Sequence, residues 1–257
     1  MARIFWVISM FFLTAGLKAE AKFEEHKKAL SSLSFTDNFT DSNWQDNWFL
    51  DGEKAKVTND KEGLTLDPEK GFAVLWTKEE FKGDVKIEYD FKRLDELNWG
   101  VNIIYIQAQG DGENGCTKDI SQWSEKRKTA AMNNYFMNMD TYHISYAAYT
   151  NGGKDKGKEY VRARRYLPLK NKGLTNTELS GEAGKTGIFD DKQWVHVTIV
   201  KKAKEIWAEF KHPEKTVLCH FKNIDKEGIE EGRIGLRIMP GRKSMFKNFK
   251  VFQLKGK

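Results

Sequence analysis

Hydrophobic and polar residues alternate with a period of two along most of the chain. In residues 85–92, VKIEYDFK, the apolar side chains fall on one face of an extended strand and the charged side chains on the other. Segments with this pattern span residues 56–67, 73–76, 101–109, 142–149, 160–167, 194–201, 205–210, 217–221, 233–238 and 246–253. Only residues 22–32 and 119–132 have a helical pattern. We therefore expect an all-β sandwich of two packed antiparallel sheets with a short N-terminal helix.

The N-terminus has the pattern of an export signal. A basic start at residues 1–3 precedes a mostly apolar run over residues 4–17, and a small-x-small cleavage pattern follows at residues 19–21. The apolar run is shorter than the about 20 residues that span a bilayer. We expect cleavage after Ala21 and a secreted or periplasmic product with no membrane attachment.

Composition and charge narrow the class of the exported protein. The chain has 257 residues, of which 39% are hydrophobic and 31% charged, and this composition excludes a disordered or fibrous protein. We expect an N-terminal helical segment at residues 22–34 and one β-sandwich domain at residues 35–254. Residues 110–138 predict a long loop over a sheet. The formal net charge of +6 favours an acidic polysaccharide as partner over nucleic acid in an exported protein.

Cysteine and metal-ligand patterns are sparse. Cys116 and Cys219 are the only cysteines, and the sequence leaves open whether they pair. No CxxC or HExxH motif and no His-rich tract offers a metal site. Residues 111–115, DGENG, have the composition of a calcium loop without its spaced ligands, so the expected cofactor is none.

Several strand segments together resemble one known family. They are residues 85–91 (VKIEYDF), 101–110 (VNIIYIQAQG), 142–146 (YHISY), 235–242 (GLRIMPGR) and 246–251 (FKNFKV). In their order and sequence they resemble the DUF1961 family, which includes YesU-type proteins found in pectin-degradation gene clusters. The resemblance spans residues 35–254. It implies a concanavalin-like jelly-roll β-sandwich and a role in carbohydrate breakdown, and it supplies no catalytic mechanism.

A first constellation that could carry chemistry is the carboxylate pair Glu88 and Asp90. Residues two apart on a strand share a face, and a retaining glycosidase needs its two carboxyl groups about 5–5.5 Å apart. Laminarinase-like glycosidases have a third acidic residue on this strand, whereas Lys92 and Arg93 follow here. The alternative is a polar surface paired to Lys86 and Lys92, with Asp90 alone binding a sugar hydroxyl.

A second constellation is cationic and aromatic. Alternation places His143, Ser145, Ala147 and Tyr149 on one face of their strand, with Tyr142, Ile144, Tyr146 and Ala148 on the other. On the strand at residues 160–166, one face carries Tyr160, Arg162, Arg164 and Tyr166. Arginine binds a carboxylate or sulfate with two parallel hydrogen bonds. Tyr166 and Trp99 supply aromatic rings that could stack on sugars.

These residue types suit β-elimination in a uronate polymer. Donors must neutralise the substrate carboxylate, and the candidates are Arg162, Arg164, Gln107 and Asn134. A base then takes a proton and an acid protonates the leaving oxygen, and we assign His143 as base and Tyr146 or Tyr149 as acid. A structural histidine, and arginines that keep an edge strand soluble, are the alternatives.

The sequence thus predicts a secreted polysaccharide lyase that acts on an anionic uronate-containing polysaccharide. A non-catalytic carbohydrate-binding sandwich, or a glycoside hydrolase that uses Glu88 and Asp90, is the alternative.

Overall fold

The computed structural model describes residues 17–40, 43–168 and 173–255. The first sixteen residues, which hold most of the predicted signal segment, lie outside the described residues. Within the described ranges, sixteen strands form two antiparallel sheets, so the predicted all-β sandwich is confirmed. The strands are β1 (Ser31–Asp37), β2 (Trp48–Asp51), β3 (Lys56–Asp60), β4 (Gly63–Asp67), β5 (Ala73–Thr77), β6 (Phe81–Lys82), β7 (Val85–Arg93), β8 (Gly100–Gly110), β9 (Met139–Tyr149), β10 (Glu159–Tyr166), β11 (Ala183–Gly184), β12 (Val195–Lys202), β13 (Glu205–Lys211), β14 (Thr216–Lys222), β15 (Glu231–Ile238) and β16 (Ser244–Leu254).

The two sheets have different strand orders. The back sheet has the order β14-β13-β12-β7-β16-β4-β3, and β1 pairs with β16. The front sheet has the order β11-β10-β9-β8-β15-β5-β2, and β6 pairs with β15. Strands distant in sequence therefore lie side by side.

The helices are short. Helix α1 covers residues 17–27, α2 is Trp44–Asn47 and α3 is Met132–Phe136, and 3₁₀ turns cover Ile120–Arg127 and Gly153–Asp155. The predicted N-terminal helix is confirmed, although it ends earlier than the pattern at residues 22–32 indicated. The reason is tertiary, because Ser31 and the residues after it pair with the last strand, β16.

The main core lies between the sheets and contains the apolar side of each alternating strand. On β7, the inward side chains of Val85, Ile87, Tyr89 and Phe91 are fully buried. Rings from both sheets meet there, and those of Phe91 and Tyr146 pack edge to face with centroids 4.9 Å apart. Burying such rings is the dominant stabilisation of a sandwich.

A second apolar layer lies on the outer face of the front sheet. The rings of Trp76, Tyr105 and Tyr135 contact one another there, with centroids 5.3 Å apart for Trp76 and Tyr105, 5.7 Å for Tyr105 and Tyr135, and 6.4 Å for Trp76 and Tyr135. Tyr135 belongs to residues 111–138, which we call the front cover; the predicted long loop, residues 110–138, also included Gly110, the last residue of β8. Trp123 and Ala130 of the front cover are buried in the same layer.

Helix α1 packs on the outer face of the back sheet. Phe23 is buried there against Val200, Trp207 and Leu254. None of the helices in the described ranges is long and apolar enough to cross a membrane.

The two cysteines are free and buried. Cys116 lies in the layer under the front cover, whereas Cys219 lies in the main core. The open question of a disulfide is thereby answered, since the two thiols occupy different layers.

Candidate functional site

Polar and aromatic side chains gather on the outer face of the front sheet, where β8, β9, β10 and β15 supply them. Tyr105 of β8 pairs with His143 of β9, which pairs with Arg164 of β10. Two residues further along β9, Ser145 pairs with Arg162 of β10. We call this group the front-face cluster; its members are Tyr105, His143, Ser145, Arg162, Arg164, Tyr166 and Arg237.

His143 lies at the centre of the cluster and is only 2% exposed. Its Nδ1 lies 2.5 Å from the Tyr166 hydroxyl and its Nε2 lies 2.6 Å from the Ser145 hydroxyl. Burial lowers the pKa of His143 well below 6.5, and the positive charges of Arg164, Arg237 and Arg162 lower that pKa further. The imidazole is therefore neutral at neutral pH, with one ring nitrogen donating and the other accepting a hydrogen bond.

Arg162 and Arg164 of β10 are half-buried and held in place by glutamates. Arg164 Nη2 donates to Glu178 Oε1 at 2.7 Å, and its Nη1 donates to the Thr177 hydroxyl at 3.0 Å. Arg162 donates to Glu182 and lies over the ring of Tyr160, 4.7 Å from its centroid. Both glutamates are exposed, so the arginines are oriented at the rim of the cluster without being buried in it.

Arg237 is a member that the sequence analysis missed. It is fully buried, its guanidinium lies 4.6 Å from the ring centroid of Tyr135, and its Nη2 donates to the carbonyl of Ala130 at 2.9 Å. Its Nε and Nη1 have no hydrogen-bond partner among the described residues. The available sequence signal was a lone arginine between the apolar residues Leu236 and Ile238 of a buried strand.

The predicted acids lie on the other side of the sheet from His143. Strand β9 contains one extra residue around Ala147, which has φ 42°, and the register with both neighbouring strands shifts there. The bulge turns Tyr149 inward, where its hydroxyl bonds Arg93 at 2.5 Å. The prediction that Tyr149 shares a face with His143 is therefore wrong.

Both predicted acids also have raised pKa values. Burial raises the pKa of Tyr146, which lies in the main core. Burial and the hydrogen bond to Asp190 raise the pKa of Tyr149. Neither phenol can reach a ligand bound beside His143, because the backbone of the front sheet intervenes.

Four more predicted site residues are Gln107 and Asn134, as hydrogen-bond donors to a substrate carboxylate, and Trp99 and Tyr166, as rings that stack on sugars. Gln107 lies in a bulge of β8 with φ 54°, and its Nε2 donates to the carbonyl of Gly83 at 2.8 Å. Asn134 donates to the carbonyl of Lys126 at 2.9 Å. Trp99 is 37% exposed at the start of β8, whereas Tyr166 is fully buried. The ring of Tyr166 thus has no exposed surface on which a sugar could stack.

Glu88 and Asp90 lie on the outer face of the back sheet, on the opposite side of the sandwich. Glu88 pairs with Lys86 at 2.9 Å, which is one of the two lysine pairings expected there; Lys92 lies instead 5.7 Å from the ring centroid of Trp194. Asp90 accepts hydrogen bonds from His196 at 2.8 Å and from Asn248 at 2.7 Å. Burial raises the pKa of Asp90, but these hydrogen bonds outweigh it and lower the pKa overall. The two carboxylates therefore belong to separate polar pairs.

Metal ligands do not cluster in the part of the chain that the structure describes. It contains no group of three or more His, Cys, Asp or Glu side chains that could hold an ion. The loop with the composition of a calcium site closes as a turn, because Asp111 Oδ1 accepts the N–H of Glu113 at 2.9 Å.

Solved structures share this fold at low sequence identity. A protein of unknown function with a galectin-like fold from Bacillus subtilis superposes with a TM-score of 0.67 at 16% identity, over 88% of this chain and 100% of that one. A legume lectin-like domain from Entamoeba histolytica gives 0.56 at 13% identity, over 88% and 97%. The VIP36 exoplasmic/lumenal domain in its Ca²⁺/Man3GlcNAc-bound form gives 0.57 at 11% identity, over 88% and 92%. These likenesses establish a lectin-like jelly-roll fold.

Sequence comparison gives the family. No curated protein matches the sequence. The family described as "Domain of unknown function (DUF1961)" matches residues 32–251, which is most of the chain. The resemblance seen in the strand segments is thereby confirmed, and the chain belongs to the DUF1961 family.

Proposed function

We propose that the protein binds an anionic saccharide at the rim of the front-face cluster, where Arg162 and Arg164 are partly exposed. The observation that carries the proposal is Arg237, a fully buried guanidinium with two unpartnered donors in the described structure. A buried guanidinium that has no carboxylate partner is costly, and a bound anion would supply the missing opposite charge. Arg162 and Arg164 lie at the edge of the same cluster, where an anion would compete with Glu182 and Glu178 for their guanidinium groups.

The fold supports a saccharide as the carrier of that negative charge. Structures that share it include a legume lectin-like domain and a domain solved with Man3GlcNAc bound. Arginine suits the carboxylate of a uronate or a sugar sulfate, because its planar fork matches both oxygens. The net charge of +6 favours association with such a polymer.

Eliminative cleavage of a uronate polymer is a second candidate function, and the neutral His143 favours it. In this reaction the base takes the proton beside the carboxylate, the bond to the leaving oxygen breaks, a carbon–carbon double bond forms, and an acid protonates the leaving oxygen. A neutral imidazole can accept the first proton. The phenols on the same face as His143 are those of Tyr166 and Tyr105, which would replace Tyr146 and Tyr149 as the acid, although burial raises the pKa of both.

Affinity electrophoresis in gels that contain pectate, alginate or ulvan tests binding. Arg164→Gln should weaken binding about tenfold, because a charge-assisted hydrogen bond contributes about 1.5–3 kcal/mol. Lys158→Gln, an exposed charge-matched control on the β9–β10 connection, should bind as the native chain does. Failure of every polymer to retard the protein, or equal effects of the two variants, would overturn the proposal.

Ultraviolet absorbance of the unsaturated uronate product separates the two candidate functions. A lyase generates this chromophore on incubation with the polymer that binds. A binding protein retards the same polymer without generating it.

A further inference from the structure

Four polar residues form a row across the outer face of the back sheet. Lys247 of β16 pairs with Asp90 of β7, Asp90 pairs with His196 of β12, and His196 pairs with Lys211 of β13. Residues in direct register on one face lie close enough to interact. The row therefore makes a continuous polar strip over four adjacent strands, on the side of the sandwich away from the front-face cluster.

An aromatic ring borders this row. The Nζ of Lys247 lies 4.1 Å from the ring centroid of Trp194, and the Nζ of Lys92 lies 5.7 Å from it. Trp194 is only partly buried. An indole ring beside ammonium groups offers an apolar platform and a positive charge at one place.

The lysines at this ring differ from others on the same face. Lys27 and Lys86 pair with Glu209 and Glu88 at 2.6 and 2.9 Å. By contrast, no carboxylate of the described residues lies within ion-pair distance of Lys92, Lys211 or Lys247. Asp90 is already engaged by His196 and Asn248, so the positive charge of the three lysines is in excess.

A cleft of about 430 Å³ lies beside this ring, and Lys92 lies next to it at the ring of Trp194. The cleft is lined by Asp90, Trp194, His196, Lys211, His212, Pro213 and Lys247. The volume lies within the range of clefts that take small ligands. Two features hold its polar groups in place. A bulge in β16 brings Asn248, at φ 54°, onto Asp90, and His212 Nε2 lies 2.8 Å from Asp191. Bulges of this kind are frequent beside binding sites, because they redirect a side chain.

We propose that this cleft is a second saccharide-binding site, which takes a sugar unit that carries a carboxylate or a sulfate. The sugar ring packs on Trp194, its anionic group pairs with Lys247 and Lys92, and its hydroxyls bond Asp90 and His196. The choice of an anionic saccharide as the ligand rests on the function proposed for the front face. The geometry of the cleft is independent of that proposal. Two sites on opposite faces would let one protein bind two segments of a polymer, which raises its apparent affinity for long chains.

Isothermal titration with short oligosaccharides from pectate, alginate and ulvan tests the second site. The native chain should bind two equivalents of the oligosaccharide that matches. Lys92→Gln with Lys247→Gln should remove one equivalent or weaken it at least about tenfold, and Arg164→Gln should affect the other. Trp194→Ala should act like the lysine pair, whereas Trp194→Phe keeps a ring and should retain binding.

Lys61→Gln is the matched control, because Lys61 is an exposed lysine in the turn between β3 and β4. One outcome would overturn the second site and leave the proposed function standing. In it the native chain binds one equivalent, Arg164→Gln loses that equivalent, and the lysine-pair variant keeps it. The second site would also be overturned if the lysine-pair variant lost no more affinity than Lys61→Gln, since that loss would reflect net charge alone. Absence of all binding would remove both proposals. If Trp194→Ala fails to fold, the surface lysine pair still decides the question.

Discussion

Each outer face of the sandwich is partly covered by a segment outside the sheets, but the two covers are attached by different interactions. The front cover is held by Asp51, whose Oδ2 accepts from Arg127 at 2.6 Å, Trp76 at 2.7 Å and Tyr135 at 3.1 Å. Both members of the Asp51–Arg127 ion pair are fully buried. The front cover is therefore part of the packed interior.

Helix α1, the cover of the back sheet, has a weaker attachment. One buried side chain, that of Phe23, anchors it. Its ion pairs, Lys27–Glu209 at 2.6 Å and Lys22–Glu205 at 3.8 Å, are partly exposed, and such pairs contribute little. From this difference we expect the front cover to unfold together with the whole protein, and α1 to detach from the back sheet while the sandwich stays folded.

The largest expected effect is on the front cover. Arg127→Ala leaves the carboxylate of Asp51 buried without its ion-pair partner, and such changes cost about 3–5 kcal/mol. Urea unfolding should show this loss. Lys128→Ala, next in sequence, removes an exposed pair with Glu125 and should cost less than about 1 kcal/mol. Equal costs would contradict the interior attachment of the front cover.

His143 should make the front face sensitive to acid. Its folded pKa lies well below 6.5, because burial and three arginines disfavour the charged form. Below pH 6.5 the unfolded chain binds a proton that the folded chain does not, so stability falls by up to about 1.4 kcal/mol per pH unit until the folded pKa is reached.

His143→Gln removes this titration and keeps one donor and one acceptor. Urea unfolding at pH 7 and pH 5 should therefore show a shallower acid loss for the variant than for the native chain. Histidines on the back face are present in both proteins, so the difference reports His143 alone. Identical slopes would mean that the imidazole titrates normally in the folded state.

The back cover should respond locally. Phe23→Ala removes the anchor of α1, but the helix can leave while the sandwich stays folded, so we expect global stability to change by less than about 1 kcal/mol. Limited proteolysis should cut the chain within residues 22–27 faster in the variant than in the native protein. A loss in urea unfolding as large as that of Arg127→Ala would show that both covers belong to the interior.

The smallest effect concerns the edge of the front cover. Asp119 accepts from the N–H of Ser121 and from Arg233 Nη2, both at 2.9 Å. Burial raises the pKa of Asp119, but these bonds outweigh it and lower the pKa from 3.8 to about 2. The stabilisation is thus present above pH 3.8 and lost as pH falls through about 2. An NMR titration of the Asp119 carboxyl group measures its pKa directly, and a midpoint near 3.8 would show that the hydrogen bonds do not lower it.

The sequence predicted much of the site that depends on local alternation. Arg162 and Arg164 share the outer face of β10, and His143 and Ser145 share that of β9, as expected. The sequence failed where an extra residue interrupts the period. The bulge at Ala147 moved Tyr149 to the interior, because one inserted residue reverses the face of every later side chain.

The sequence by itself determined the class of the fold, since period-two alternation specifies which side of each strand is buried without reference to its neighbours. Only the tertiary structure decided which faces meet. Asp51 and Arg127 are 76 positions apart, and Lys247 and Asp90 lie on strands far apart in the chain. The front-face cluster and the cleft on the back sheet both depend on such register between distant strands, and on the segments that cover them. Those contacts are set by packing and by buried charge, which no local pattern encodes.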